Sequence, residues 1–547
     1  MARDELRVVV VGAGHNGLVA AALLAGRLGA DVTVLERRSQ VGGAAVTEQP
    51  WGPEFKVTAL SYVVSLLPPS LVRELDLQRH GYHVYPQGPY FAPYPDGRYL
   101  ALPDDRARRH AEIAKFSRRD ADAIDRWDAW LGALARELGP LLSTIPPTLG
   151  SARLPDVRDT AQLAWRLRRL GVRGVADVTR LFTMSIADVL DWFFESPQMQ
   201  GLMAVSGIIG TWAGPRSAGT AYVMAHHKIG DVGGETASGT NGKLGAWGFA
   251  RGGMGAVTRA IRRAAEERGA RVRTDAPVAR ILVRNRRAVG VALATGEEIP
   301  ADVVVAATHP RITFLEHVDR YALPEQFVTD IERWRSRSGT VKINVAVSKL
   351  PEFAAKPGFD PDVHGGTIVL APSLEHLEVA FQEAVGGWAA TRPFADVCIP
   401  SVFDRTLCPD GTHVVSMFTQ WVPHEWASKP QPAHLDAYAD RVVDAMDQVA
   451  PGFRDSVLHR QVIGPYEMEH EYGLVGGNIF HGELSPSQLF HLRPAPGYAD
   501  YRTPIARLYQ CSSATHGGGG VTGIPGTNVV HQITADLRAS RRSGAGR

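Results

Sequence analysis

Leu6-Arg7-Val8-Val9-Val10-Val11, followed at once by Gly12-Ala13-Gly14-His15-Asn16-Gly17, is the stretch that decides the fold. Leu6 to Val11 is β-branched and nearly continuously apolar, the composition of a parallel strand buried on both faces. Leu18 to Leu28 is rich in Ala and Leu and reads as a helix, and Asp31-Val32-Thr33-Val34-Leu35-Glu36 is a second strand ending in an acid. The whole unit takes about thirty residues, the length of a βαβ element. Gly12 permits the tight turn, Gly14 lets the backbone approach a diphosphate, and Gly17 lets helix and strand pack closely. The helix N-terminus offers unpaired N–H groups to phosphate. Glu36, nineteen residues past Gly17, can accept hydrogen bonds from ribose hydroxyls.

Bulk composition bounds the rest. A chain of 547 residues exceeds what one core usually serves, so two domains are expected. Hydrophobic residues at 44% and charged residues at 21% describe a packed protein. A net charge of +2 gives no reason to expect a nucleic-acid partner. The three cysteines, Cys398, Cys408 and Cys511, lie far apart, which argues against a disulfide framework, a zinc site or a dithiol redox pair. His226-His227 are adjacent with no carboxylate at ligand spacing, so no metal site is expected. The first strand begins about six residues from Met1 and no run reaches the roughly twenty apolar residues of a spanning helix, so a cytoplasmic location is the expectation.

Farther along, residues 106–225 are mostly helical in pattern, with a loop at Pro146–Leu154. The apolar run Leu202–Trp212 is read as roofing a cavity. Trp165-Arg166-Leu167-Arg168-Arg169-Leu170 is basic and amphipathic; it reads as a solvated helix face, with a peripheral membrane contact as the other reading. A helix at Ala256–Arg268, a strand at Arg271–Thr274, a hairpin from Val278 to Ala294 and a return strand at Ala301–Ala306 follow. Val341 to Val347 alternates as a one-sided strand, with Lys342, Asn344 and Ala346 sharing a face. Gly253-x-Gly255 lacks a third glycine, since Thr258 stands there, so no second nucleotide site is expected. The segment from about Ser540 reads as a disordered tail.

FAD and NAD share the N-terminal fingerprint, and the next residues separate them. Glu36-Arg37-Arg38-Ser39-Gln40-Val41-Gly42-Gly43 resembles the extended signature of the FAD-dependent family that includes amine oxidases and phytoene desaturases. The resemblance implies that Gly42 and Gly43 bring the chain close to the flavin and that Arg38 neutralises diphosphate charge. Pro277-Val278-Ala279-Arg280-Ile281 resembles the stretch whose valine, here Val278, contacts the adenine side. Leu508 to His516, with Gly517 to Val521, resembles the segment beside the flavin ring, which implies roles for Gly519, Gly520 and Val521. A helix from about Gly526 would aim its N-terminus at the pyrimidine carbonyl. Gly219-Thr220-Ala221-Tyr222 and Val41 to Thr47 extend the likeness, closest to the phytoene-dehydrogenase-related subfamily, over essentially the whole chain. Two departures stand out: Ala44 replaces the usual arginine after the paired glycines, and Ser512, Ala514 and Gly517 alter the C-terminal phrase.

These readings converge on an α/β fold with an α+β cap. A discontinuous Rossmann-type FAD domain (1–75, 250–310, 500–540) is joined to a substrate domain (76–249, 311–499), and 541–547 is the tail. The expected function is an FAD-dependent oxidoreductase that removes hydride from an apolar or aromatic small molecule, with FAD held non-covalently. Flavin-dependent isomerisation and a binding protein like the Rab GDP-dissociation inhibitors are the alternatives. Gly339 to Asn344 resembles the strand that carries the amine oxidases' active-site lysine, which makes Lys342 one expected catalytic residue. His516 is the other. Oligomeric state is left open.

Overall fold

The computed structural model describes residues 6–230 and 245–544. Five parallel strands form the cofactor-side sheet, in the order Leu508–Gln510, Val303–Ala306, Arg7–Val11, Asp31–Leu35 and Arg271–Arg273. All five fall within the segments 1–75, 250–310 and 500–540. The first strand alternates between two cores. Val8 and Val10 face the helices His15–Leu28, Met254–Glu267 and Ile524–Gly544, whereas Val9 and Val11 face a three-stranded meander running from Val278 to Pro300. That two-sided burial is why the strand carries no polar alternation.

The second sheet has seven strands. Thr340–Val347 is an interior strand of it, flanked in antiparallel register by the edge strand Val457–Ile463 and by His413–Gln420. Beyond lie Phe394–Cys398, Thr367–Leu370, Tyr90–Pro93 and Tyr99–Leu102. Seven helices lie between Arg106 and Lys228, most of them packed on this half. Thr340–Val347 departs from a one-sided surface strand because all eight of its residues are buried. An interior position in the sheet pairs both of its edges, and Val341, Ile343 and Val345 enter the main apolar core.

The C-terminal helix corrects the expected tail. It continues to Gly544, so backbone from 541 to 544 is helical where disorder was expected; residues 545–547 lie outside the described part. Apolar positions Val529, Val530 and Ile533 anchor the helix against the first one and carry it past the point where composition turns polar.

The glycine turn has two different tolerances. A Cβ on Gly17 would lie 2.2 Å from the Gly12 carbonyl oxygen, whereas a Cβ on Gly14 meets nothing within 4 Å. Gly14 also has φ −66° and ψ 167°, open to any residue. Gly17→Ala should therefore cost about 1–3 kcal/mol in urea unfolding of the FAD-stripped chain. Gly14→Ala should leave that stability unchanged and instead weaken FAD retention. Equal stability for the two variants would mean that helix and strand are not in contact at Gly17.

Candidate active site

A cavity of about 460 Å³ runs between the two sheets. Its walls include Gly12, Gly14, Gly17, Glu36, Arg38, Gly42, Gly43, Val278, Gly520, Val521 and Lys342, which brings together all but two of the residues singled out in the sequence. The parallel sheet supplies one end, and the second sheet, with Lys342 and Asp396 on two of its strands, supplies the other.

At the first end the backbone is arranged around Glu36. The Ala13 N–H donates to its Oε2 at 2.9 Å and the Arg38 N–H to its Oε1 at 3.0 Å, so the carboxylate is fixed with lone pairs to spare. Gly42 donates its N–H to the Ala13 carbonyl at 2.9 Å, which draws the paired glycines beside the first turn. Helix His15–Leu28 begins without a side-chain cap, leaving its first N–H groups for a ligand. The open space beside Gly14, the fixed acid and the uncapped helix suit a dinucleotide. Arg38 lines the same end, but its guanidinium is already engaged: Nη2 bonds Glu48 Oε1 at 2.8 Å and the group stacks 4.5 Å from the Tyr472 ring. Its charge is therefore shared rather than free. His15 and His481 also line the cavity. Burial pushes their imidazoles down to about 4 and about 3, so both are neutral near pH 7.

Two expectations fail here. Neither His516 nor Gly519 lines the cavity. The His516 imidazole is buried and its Nε2 hydrogen-bonds the Leu141 carbonyl at 2.9 Å, in the last turn of helix Arg118–Ser143. Within its own helix end the Leu141 carbonyl accepts only a long 3.4 Å bond from the Thr144 N–H, and it captures the ring. Burial holds its pKa down at about 4. Gly519 instead offers its carbonyl to His226 Nε2 at 2.7 Å.

The far end is a polar patch on the inner face of the second sheet. Lys342 Nζ donates to Asn344 Oδ1 at 2.6 Å and to Ser416 Oγ at 2.5 Å, and it lies 5.4 Å from the Tyr62 ring centroid. Strand register puts Lys342 beside Phe418 and Phe418 beside Asp396, all three on one face. Two strand spacings separate the acid from the base, about 9–10 Å. The Tyr62 hydroxyl faces the Asp396 carboxylate, and its ring stacks on Phe418. Burial lowers Lys342 to about 7, an effect moderated by Cys398 and Asp396. Burial raises Asp396 to about 7, opposed by the Tyr62 hydroxyl and the Lys342 charge. An acid and a base poised at the same pH can exchange a proton through a ligand lying between them.

Asp396 and Tyr62 were missed from sequence. Asp396 did leave a signal, an acid in mid-strand within Phe394-Ala395-Asp396-Val397-Cys398, where charge is costly to bury. Tyr62 left none. Among the described residues no cluster of His, Cys, Asp or Glu could hold a metal, and all three cysteines are buried and free.

Fold and cavity define a dinucleotide-dependent enzyme of two interlocked sheets, and comparison with known proteins identifies the class. Residues 17–527 match the family model for flavin containing amine oxidoreductase, and the chain belongs to that family. It is an FAD-dependent oxidoreductase. Over 98% of its length it is 38% identical to pyridine nucleotide-disulfide oxidoreductase domain-containing protein 2 of Rattus norvegicus, covering 94% of that relative. It is 26% identical to one component of the limonene dehydrogenase of Castellaniella defragrans, over 97% of this chain and 94% of the other. Among solved structures, putrescine oxidase bound to putrescine superposes with a TM-score of 0.57 at 15% identity, over 98% of this chain and 99% of that one.

Burial of the lysine predicts a pH signature. An unfolded lysine titrates near 10.4. Between pH 7 and about 10.4 the unfolded chain therefore carries a proton on Lys342 that the folded chain has released, and stability rises with pH across that window. Below pH 7 the full penalty applies. Lys342→Met removes the penalty, so urea unfolding of the FAD-stripped variant should show higher stability near pH 7 than wild type. The gap should close toward pH 10, and parallel pH curves would show that Lys342 is not desolvated.

Proposed function

We propose that the chain oxidises a neutral, largely apolar small molecule, with Lys342 and Asp396 handling the proton that accompanies hydride removal. One observation carries the reading: a single cavity joins Glu36 at one end to the Lys342–Asp396 patch at the other. FAD, when bound, supplies the hydride acceptor. Glu36 would take the adenosine ribose, Val278 the adenine side, and the N–H groups at Gly14 and the helix start the diphosphate. Gly42, Gly43, Gly520 and Val521 would bring backbone to the flavin portion, and Arg38 would contribute what its pairing with Glu48 leaves free. Lys342 binds or moves a proton near the reacting centre, and Asp396, steadied by Tyr62, accepts one from substrate.

The wall around that patch includes Phe418, Ile209, Trp247, Ile479 and Phe480, which favours an apolar ligand. The likeness to a limonene dehydrogenase component points the same way. Near pH 7 each group of the pair is only partly charged, so the patch offers a cationic amine no permanently ionised carboxylate. Anaerobic bleaching of the bound flavin by limonene, neutral alcohols and primary amines tests this directly. Bleaching by amines alone would overturn the neutral-substrate reading, and turnover without bleaching would make the enzyme an isomerase.

Non-covalent attachment accords with the cysteines, none of which lines the cavity; Cys398 lies behind Gln87 and Thr367. Cys511 is fully buried directly after strand Leu508–Gln510 and does not line the cavity. Acid precipitation should leave all yellow colour in the supernatant; a yellow pellet would show a covalent link.

Removing either proton group should slow the half-reaction that uses it. Lys342→Met and Asp396→Asn should each retain FAD and slow substrate-driven flavin bleaching or reoxidation by roughly tenfold or more. Wild-type rates in both half-reactions for both variants would leave catalysis to cofactor positioning alone.

A further inference from the structure

Helix Leu154–Arg169 has no buried residue at all, and the helix that follows it, Gly171–Thr183, buries only Leu181. What they expose is apolar. Leu154 is 83% exposed, Val172 90% and Trp165 59%, with Val157 and Val175 also open to water. Leu154, Val157, Ala161 and Trp165 recur every three or four residues and so share one helix face. Leu163, Leu167 and Leu170 lie on the opposite, partly buried side. The outward stripe is therefore a second apolar face, more than a helix packed once against its protein requires.

Charge says what covers it. Between residues 153 and 180 the chain carries seven arginines against three aspartates, a local excess of positive charge larger than the +2 of the whole chain. Each aspartate is met by an arginine: Asp156 by Arg153, Asp159 by Arg158 and Asp177 by Arg180. Arg166, Arg168, Arg169 and Arg173 remain without an acidic partner among the described residues. The Arg169 guanidinium lies 4.8 Å from the Trp165 ring, a basic head resting on an aromatic body. A second copy docking through the same patch would bring these arginines against themselves, which is repulsive. Large apolar side chains interleaved with unpaired arginines match an interface between acyl chains and anionic headgroups.

We propose that these two helices form a foot that docks on an anionic lipid surface. The foot stands one helix away from the cavity. Phe182 of its second helix stacks on Tyr222 at 5.0 Å, and Tyr222 belongs to helix Thr220–Lys228, whose His227 lines the cavity wall. An apolar substrate dissolved in the bilayer would thus lie near its site of oxidation.

The test is co-sedimentation of the full-length, FAD-loaded protein with vesicles of phosphatidylcholine plus phosphatidylglycerol, compared with phosphatidylcholine alone. The protein should pellet with the anionic vesicles, less so as salt is raised, and only weakly with the neutral ones. Arg166→Gln/Arg168→Gln/Arg169→Gln should weaken that binding on the order of a hundredfold. Trp165→Ser/Val172→Ser should weaken it at least tenfold. Retained flavin colour and an unchanged melting temperature would establish that both variants are folded, as their exposed positions favour. Failure to pellet with anionic vesicles, or equal pelleting of wild type and both variants, would overturn the proposal. So would a concentration-dependent dimer in sedimentation velocity that Trp165→Ser/Val172→Ser abolishes, because the patch would then belong to a second copy.

Discussion

Helix His15–Leu28 meets the first strand at Gly17, where the Gly12 carbonyl leaves room for hydrogen and nothing larger. That approach aims the helix start at the cavity and places the Ala13 N–H to hold Glu36. The Ala13 carbonyl in turn takes the Gly42 N–H, so the loop carrying the paired glycines is fastened to the same turn. Cofactor geometry thus rests on one backbone contact that tolerates no side chain. Packing on both faces of the sheet keeps it there: Val8 and Val10 bind the helical layer, and Val9 and Val11 the meander.

The second sheet follows a different logic. Its inner face holds a lysine, an aspartate, an asparagine and a serine among buried neighbours, and ionised groups there are penalised by desolvation. Nζ of Lys342 is compensated by two hydrogen bonds to neutral oxygens, not by a carboxylate in contact. A direct ion pair would have fixed both protons. Separation by Phe418 leaves each group able to gain or lose one near neutrality. The stability lost this way is partly offset by Val341, Ile343 and Val345 on the reverse face of the same strand.

Much of the cofactor end could be read from the chain because it is local. Glycines, strand, helix and acid lie within the first 36 residues, and each is required by a contact to a near neighbour in sequence. Lys342 was legible through a resemblance, backed by strand periodicity that puts Asn344 beside it. Asp396, Tyr62 and His481 were not, because they reach the cavity through strand order and loop return, which no local pattern encodes. His516 failed for the same reason in reverse. Its place in a flavin-side phrase suggested exposure to the cavity, but the carbonyl that binds it is 375 residues away, at Leu141. Arg38 shows a milder form of the problem, since Glu48 and Tyr472 already claim part of its charge.

Charge varies along the cavity, and the variation orders its contents. Glu36, Arg37 and Arg38 gather at the nucleotide end, where hydroxyls and phosphates need strong partners. Midway, His15 and His481 are held neutral by burial, with His309 pushed down in the same way and its ring 5.6 Å from that of His481. An anionic cofactor reaching this region meets donors that gain a proton only if its own charge draws one in. At the far end, acid and base titrate together near neutrality. With both groups near 7, Asp396 is ionised mainly where Lys342 is neutral, so the sign of the patch turns over as pH passes neutrality. The same burial that costs the fold stability thus sets the pH at which the charge of this end changes.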